Sequence, residues 1–381
     1  MKKPFVKGGK ALTLTAALLC TAAFLGSLMA FGTTAQAETQ AEAQAFTPGV
    51  AGRITSCKIS GDKQNVEIGF SSTGDVTGTD GNIYIFEMQP YEEELGSRSN
   101  FIASSPALSA ASVSVPLNLG TPQDKLYSRF VLAVFDGTKF IKVSQPHYIT
   151  NPELIAKNQT SFNDPLTKKG LVIEIDMLND AFDLGVKHVT TNIAFSQIMG
   201  TGIDYQYDGK TYHFNKGVVD AYDKTISALS NKGMTVTVIL LNDWNPNTPD
   251  LVYPGTQKNS NAFYYMFNAE TEAGFDQTKA IASFLAQHYS GGNPNYGKVS
   301  NWIIGNEINN QQWNYMGDMP IDQYVYEYER AFRVFYTAIK STNQNDRLYF
   351  STDYNWNHDA NGKNKYNAKD IIDRFADMTG A

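Results

Sequence analysis

Residues 299–320 read VSNWIIGNEINNQQWNYMGDMP. The apolar run Trp302-Ile303-Ile304 stops at Gly305, and Asn306 and Glu307 follow at once. A short unbroken apolar run is the mark of a strand buried on both faces, the kind found in parallel sheets. Here an amide and a carboxylate stand at its C-terminal tip. The carboxylate either closes a structural hydrogen-bond network at the strand end or performs chemistry there. The surrounding chain decides which kind of sheet carries it.

Working outward, strand and helix signals alternate. LVIEI (171–175) is a first strand, and DMLNDAFDLGVK a short helix ending near Gly185, a plausible C-cap. HVTTNIAF (188–195) is a second strand. Val218, Tyr222, Ile226 and Leu229 recur at helical spacing, and TVTVILL (235–241) is a third strand. Ile281, Phe284, Leu285 and His288 mark the next helix, which makes 299–305 the fourth strand. Ile321, Tyr324, Tyr328, Ala331, Phe335 and Ile339 stripe a long helix. RLYFST (347–352) is a fifth strand, and NAKDIIDRFADM begins a fifth helix.

Regular βα alternation with buried strands means a parallel sheet covered by helices, either doubly wound or closed into a barrel. A dinucleotide-binding version of the former wants a glycine-rich turn after its first strand, and EIDMLND has none. Asn192, Asn242, Asp243, Asn306, Glu307 and Asp353 fall instead at the C-terminal ends of strands, where barrel enzymes keep their chemistry. We therefore expect residues 169–381 to form a partial TIM barrel, an incomplete (β/α)8 fold with about five βα units. On that count the chain is a fragment, truncated at its C-terminal side.

Upstream the signal changes. From 51 to 152, RITSCKIS, NVEIGFSS, NIYIFEMQ, SVSVPLNL and RFVLAVFDGTKFIKVSQ are β-type runs separated by turn clusters. Asp136-Gly137 suits a tight hairpin. This predicts an all-β sandwich, immunoglobulin-like in outline, with a structural or spacing role. Residues 153–168 link it to the barrel and 38–50 read as a flexible leader. Residues 1–37 read as a signal peptide: four lysines, an uncharged apolar segment from Ala11 to about Phe31, then Ala35-Gln36-Ala37. An uncleaved membrane anchor is the alternative, since the apolar run is long enough to span. Leu19 before Cys20 argues against lipidation.

Removing that segment leaves Cys57 alone, so no internal disulfide forms, and a small buried residue is its natural role. The five histidines are scattered, and no metal or cofactor is expected. The net charge is −7 with no basic block beyond the N-terminus, which speaks against nucleic acid as partner. The expected localisation is secreted or cell-surface associated, with no membrane contact after signal cleavage. The sequence carries no signal for an oligomeric state.

The run WIIGNEINN, as the fourth strand of a βα series, resembles the clan A glycoside hydrolases. The wider pattern DLGVKHVTTNIAF…TVTVILLNDWN…VSNWIIGNEINNQQWNYMGDM is similar to an uncharacterised family of secreted bacterial proteins related to that clan. The resemblance implies that Glu307 is the general acid/base and that Asn306 holds the sugar 2-hydroxyl. It implies a retaining mechanism with the nucleophile, a Glu ending strand seven, beyond residue 381. The chain alone is then catalytically incompetent. Two departures stand out. Asn192 sits where several clan members carry arginine, and Ile308 replaces the usual proline.

Glycoside hydrolysis needs two carboxyls across the scissile bond, and the acid must keep its proton near neutral pH. Glu307, between Trp302 and Trp313, suits the acid. Asp353, ending the fifth strand, is the nearest local carboxyl, and the resemblance does not support it as nucleophile. Glu174 and Asp176 are candidates for substrate contact or for filling the barrel. Trp244, Trp313, Tyr315, Tyr354 and Trp356 lie in loops rich in asparagine, a mixture that packs on sugar C–H faces and binds their hydroxyls. The carbohydrate-contact set is Asn306, Asn192, Asn242, Trp244, Trp313, Tyr354 and Trp356. The expected function is a secreted glycoside hydrolase acting on a poly- or oligosaccharide. The alternatives are a non-catalytic carbohydrate-binding or cell-surface protein with a degenerate barrel, and an adhesion module with a structural barrel.

Overall fold

The computed structural model describes residues 52–72, 78–174, 177–358 and 360–379. The signal segment, Cys20, the leader and Asp176 lie outside the described residues. The described residues form one compact unit.

Its first half is antiparallel. Strands β1 (Gly52–Ile59), β2 (Asn65–Ser72) and β5 (Ala111–Pro116) form one sheet in the order β1-β2-β5. Strands β3 (Asn82–Met88), β4 (Ala103–Pro106), β6 (Arg129–Phe135), β7 (Phe140–Lys142) and β8 (His147–Tyr148) form another, in which β4-β3-β6-β7 are neighbours and β8 pairs with β6. Alternation along each strand sends one set of side chains inward. Ile54, Cys57, Ile68 and Phe70 of the first sheet share a core with Ile83, Ile85, Phe130 and Leu132 of the second. A register shift between Ile54 and Ser56 resets the alternation of β1, so that Ile54, Cys57 and Ile59 all point inward. Cys57 is fully buried, and burial pushes its thiol up, which makes it an inert packing residue. Asp136-Gly137 does turn a hairpin: Phe135 pairs with Phe140 and Gly137 has φ of 100°.

The second half is a parallel sheet wound in one direction. Strands β9 (Gly170–Val172), β10 (His188–Ala194), β13 (Thr235–Leu241), β14 (Asn301–Ile304) and β15 (Arg347–Tyr349) stand side by side in chain order, every pair parallel. A doubly wound sheet would reverse this order at a switch point. Helices α1 (Leu178–Asp183), α3 (Lys216–Ser230), α4 (Glu272–His288), α5 (Ile321–Thr342) and α6 (Ala368–Thr379) follow successive strands. Alternation again assigns the faces. Val189, Val236, Val238, Leu240, Trp302 and Ile304 pack with Ile226, Ile281, Tyr328 and Phe335 of the helices. The opposite face carries Val172, Asn192, Ile239, Ile303 and Tyr349, and it is open: Val172 is 64% and Tyr349 43% exposed. Helices on one face and a bare opposite face are what an unclosed barrel presents. No helix among the described residues is long and apolar enough to cross a membrane.

One element escaped the sequence reading. After the short helix α2 (Phe195–Ile198), a hairpin of β11 (Gly202–Tyr207) and β12 (Lys210–Asn215) turns at Asp208-Gly209, with φ of 48° and 74°. The Asp-Gly pair flanked by alternating aromatics was the available signal. Phe214 stacks on Phe284 of α4 at 3.8 Å, so the hairpin covers the helix layer. The two halves meet through charge. Arg129, 1% exposed, donates to Tyr326 Oη at 2.9 Å. Glu93 accepts from Tyr326 at 2.8 Å and pairs with both Arg129 and Arg330.

Candidate active site

Four loops at the C-terminal end of the parallel sheet are laced together. Ser196, just after β10, donates from its backbone N–H to Asp243 Oδ1 at 3.1 Å and from its hydroxyl to Oδ2. The loop after β13 joins the loop after β14 through Phe263 N–H to Gln312 O (2.8 Å), Tyr315 N–H to Tyr264 O (2.8 Å) and Met266 N–H to Tyr315 O (2.9 Å). The loop after β14 joins the loop after β15 through Ile308 N–H to Ser351 O (2.9 Å) and Tyr366 N–H to Asn309 O (2.8 Å). Glu307 stands at the centre of this rim.

Glu307 has a φ of 42°, left-handed backbone that a non-glycine residue adopts at a cost of about 1–2 kcal/mol. Gly305, two residues earlier, has φ of 74°. The turn is held because Glu307 N–H donates to Ser351 Oγ at 2.9 Å, and that hydroxyl donates to Asn306 Oδ1 at 3.4 Å. Asn306 and Glu307 are both half-buried. Burial, followed by the nearby Asp353 charge, raises the Glu307 carboxyl above its ordinary range, with Lys365 pulling the other way.

Asp353 behaves oppositely. Burial alone would raise it. Bonds from the Asn309 amide at 2.6 Å and the Asn355 N–H at 2.8 Å, with Lys365 Nζ at 3.5 Å, hold it below the usual carboxylate range. Its side chain is 3% exposed, so it is closed to substrate. Two carboxyls whose environments drive them apart mark a division of roles between a proton holder and a fixed charge.

The candidate contacts separate into groups. Trp313 stacks on Phe263 at 4.8 Å and lies near-parallel to Tyr264 at 6.3 Å, making an aromatic platform on the turn that carries Glu307. Tyr354 (85% exposed) and Trp356 (55%) stand on the loop after β15, with Lys365 over the Tyr354 ring at 5.5 Å. Trp244 is half-buried against Tyr265, itself edge-on to Tyr315. Asn192 is exposed on the open sheet face, two residues before β10 ends, beside the exposed Glu174. Burial, followed by the Asp243 and Glu174 charges, raises the Tyr264 hydroxyl above its ordinary range.

Two sequence expectations are corrected. Asn242 is 1% exposed, and its amide nitrogen is spent on Leu251 O (2.7 Å) and Met266 O (3.1 Å), so it clamps the loop after β13 and does not face a ligand. Trp302 does not flank Glu307. Alternation turns it into the helix layer, where it is fully buried and donates to Asp346 Oδ2 at 3.1 Å, at the opposite end of the sheet. Phe263, Tyr264, Asn309, Ser351 and Lys365 were missed. The aromatic run Phe263–Phe267 between β13 and α4 was a visible clue, whereas nothing in the sequence pointed to Lys365. Among the described residues no group of three His, Cys, Asp or Glu could hold a metal ion.

Residues 161–381 match a family described as a family of unknown function (DUF5722), and the chain belongs to that family. No curated protein matches it. Solved structures similar to it include a Bacteroides ovatus GH5 xyloglucanase in complex with a XXXG heptasaccharide, at 13% identity and a TM-score of 0.35, covering 75% of this chain and 61% of that one. The β-glycosidase from the hyperthermophile Thermosphaera aggregans is similar at 13% identity and 0.31, covering 48% and 43%. Endoglucanase Cel5A from Thermotoga maritima is similar at 13% identity and 0.29, covering 53% and 52%. The chain thus spans between 43% and 61% of the length of these three structures.

Proposed function

We propose that this chain carries the acid half of a retaining glycoside hydrolase, with Glu307 as the proton donor to the glycosidic oxygen. The observation that carries the reading is Glu307 itself. It is a half-buried carboxyl at the tip of the fourth parallel strand, on strained backbone, with its proton affinity raised by burial and by Asp353. A general acid needs that raised affinity to arrive protonated. Asn306 holds the sugar hydroxyl beside the scissile bond, and Trp313 with Phe263 presents a flat apolar surface to a sugar ring. Asn192, Trp244, Tyr354 and Trp356 line the outer contacts. A retaining mechanism sets the nucleophile about 5–5.5 Å from the acid. Asp353 is closed to substrate, so we assign that role to a carboxyl on a later strand of a complete eight-fold barrel, outside the described residues. We read the antiparallel half as an immunoglobulin-like sandwich that supports the barrel, and the N-terminal segment as the export signal of a secreted or surface protein.

The test is a polysaccharide panel scored for new reducing ends, using the protein as its cell makes it. Hydrolysis that Glu307→Gln abolishes supports the reading. Hydrolysis that survives Glu307→Gln unchanged overturns the acid assignment. Glycan binding with no hydrolysis by either protein favours a non-catalytic carbohydrate-binding role.

A further inference from the structure

The loop after β15 contains a buried carboxylate that cannot meet a ligand, yet its bonds converge on the turn bearing Glu307. Asn309 Nδ2 donates to Asp353 Oδ1 at 2.6 Å, and Asp353 N–H returns a bond to Asn309 Oδ1 at 2.8 Å. Asn309 is fully buried, and its amide also donates to Tyr366 O at 3.1 Å. This reciprocal pair lies two residues from Glu307 and locks the turn to the neighbouring loop. Lys365, from the far side of the same loop, reaches Asp353 Oδ2 at 3.5 Å while remaining 28% exposed.

We propose that Asp353 is a positioning residue for Glu307: through Asn309 it fixes the turn that carries the acid, and it supplies the fixed negative charge that the acid faces, with Lys365 setting how much of that charge is felt. The Glu307 turn, Gly305–Met316, contains no other ionisable side chain but Tyr315. Among the described residues the charges acting on Glu307 are Asp353 and Lys365, and Asp243 on the adjacent loop is engaged by Ser196. A buried anion held by Asn309, by both the backbone and side-chain N–H groups of Asn355, and by Lys365 stays ionised, so it opposes ionisation of its neighbour across the working pH range. The arrangement makes Lys365 a tuning handle: it is exposed enough to be altered without disturbing the core. This proposal deepens the reading of Glu307 as an acid, but its test does not depend on activity.

The experiment is a 13C NMR titration of glutamate-labelled chain, with Glu307→Gln identifying the Glu307 carboxyl resonance. Asp353→Asn keeps the shape and an acceptor oxygen while removing the charge. It should lower the Glu307 midpoint, because the charge that opposes ionisation of the acid is gone. Lys365→Met should move the midpoint upward. Shifts of opposite sign establish the electrostatic role, because loosening of the loop would move both variants the same way. Shifts of the same sign, or none, overturn it. If Asp353→Asn does not fold, Lys365→Met decides alone: an upward shift supports the proposal and an unchanged midpoint refutes it. Opposite shifts in a protein that hydrolyses no glycoside would refute the functional reading and leave this one standing.

Discussion

Glu327 lies on α5, with a side chain 8% exposed and 3.5 Å from Arg330 Nε, in the charged seam between the two halves of the molecule. Burial pushes its carboxyl up to about 7, while Arg330 pulls downward and Glu270 and Glu93 add to the rise. In the unfolded chain a glutamate ionises near 4.3. Between these values the folded protein keeps a proton that the unfolded chain has lost, so raising the pH favours unfolding. The stability this group contributes is fully present below about 4.3, declines by roughly 1.4 kcal/mol per pH unit, and is gone above about 7. The whole loss is on the order of 4 kcal/mol. Glu327→Gln removes the ionisation and keeps the shape. Urea unfolding followed by tryptophan fluorescence at pH 4.5, 6 and 8 should therefore show the variant gaining on the parent as pH rises, with the gap levelling above pH 7. A gap that does not change with pH would refute the burial argument.

Other perturbations give equally definite outcomes. Asn242→Ala should cost about 1–3 kcal/mol in denaturant unfolding, because it leaves the Met266 carbonyl without its donor and the Leu251 carbonyl with the Asn268 N–H alone. Gly297→Ala should lower the melting temperature, since the residue has φ of 80° and an added Cβ would sit 2.6 Å from the Ser227 backbone. Trp313→Ala should weaken oligosaccharide binding by about 1 kcal/mol in calorimetry while leaving the unfolding curve near the parent's, as the loss of one stacking surface would.

How much of this was legible beforehand depends on the kind of residue. The strands 235–241 and 299–305 and the helix over Ile321–Ile339 announced themselves, because their burial is dictated by periodicity alone. The place of Glu307 at the tip of an apolar run was legible for the same reason; its role was not, since a strand-end carboxylate can equally close a structural hydrogen-bond network. Asn242 misled because a strand-end asparagine looks the same whether its amide faces a ligand or two buried carbonyls 9 and 24 residues away. Trp302 misled because closeness in sequence says nothing about which face of a strand a side chain takes until the pleat is fixed. Lys365 and Ser351 were silent, since their part in the site comes from the packing of one loop on another.

The central claim is that Glu307 delivers a proton to a departing glycosidic oxygen. The most direct measurement is hydrolysis of aryl glycosides over a range of leaving groups, by the protein as its cell makes it and by Glu307→Gln. Poor leaving groups need the proton and strongly activated phenols do not. The account predicts that Glu307→Gln slows the poor leaving groups by about 10²–10⁴-fold and barely changes the activated ones. Equal rates for the two proteins across the series, or no turnover of any glycoside by the parent, would contradict it.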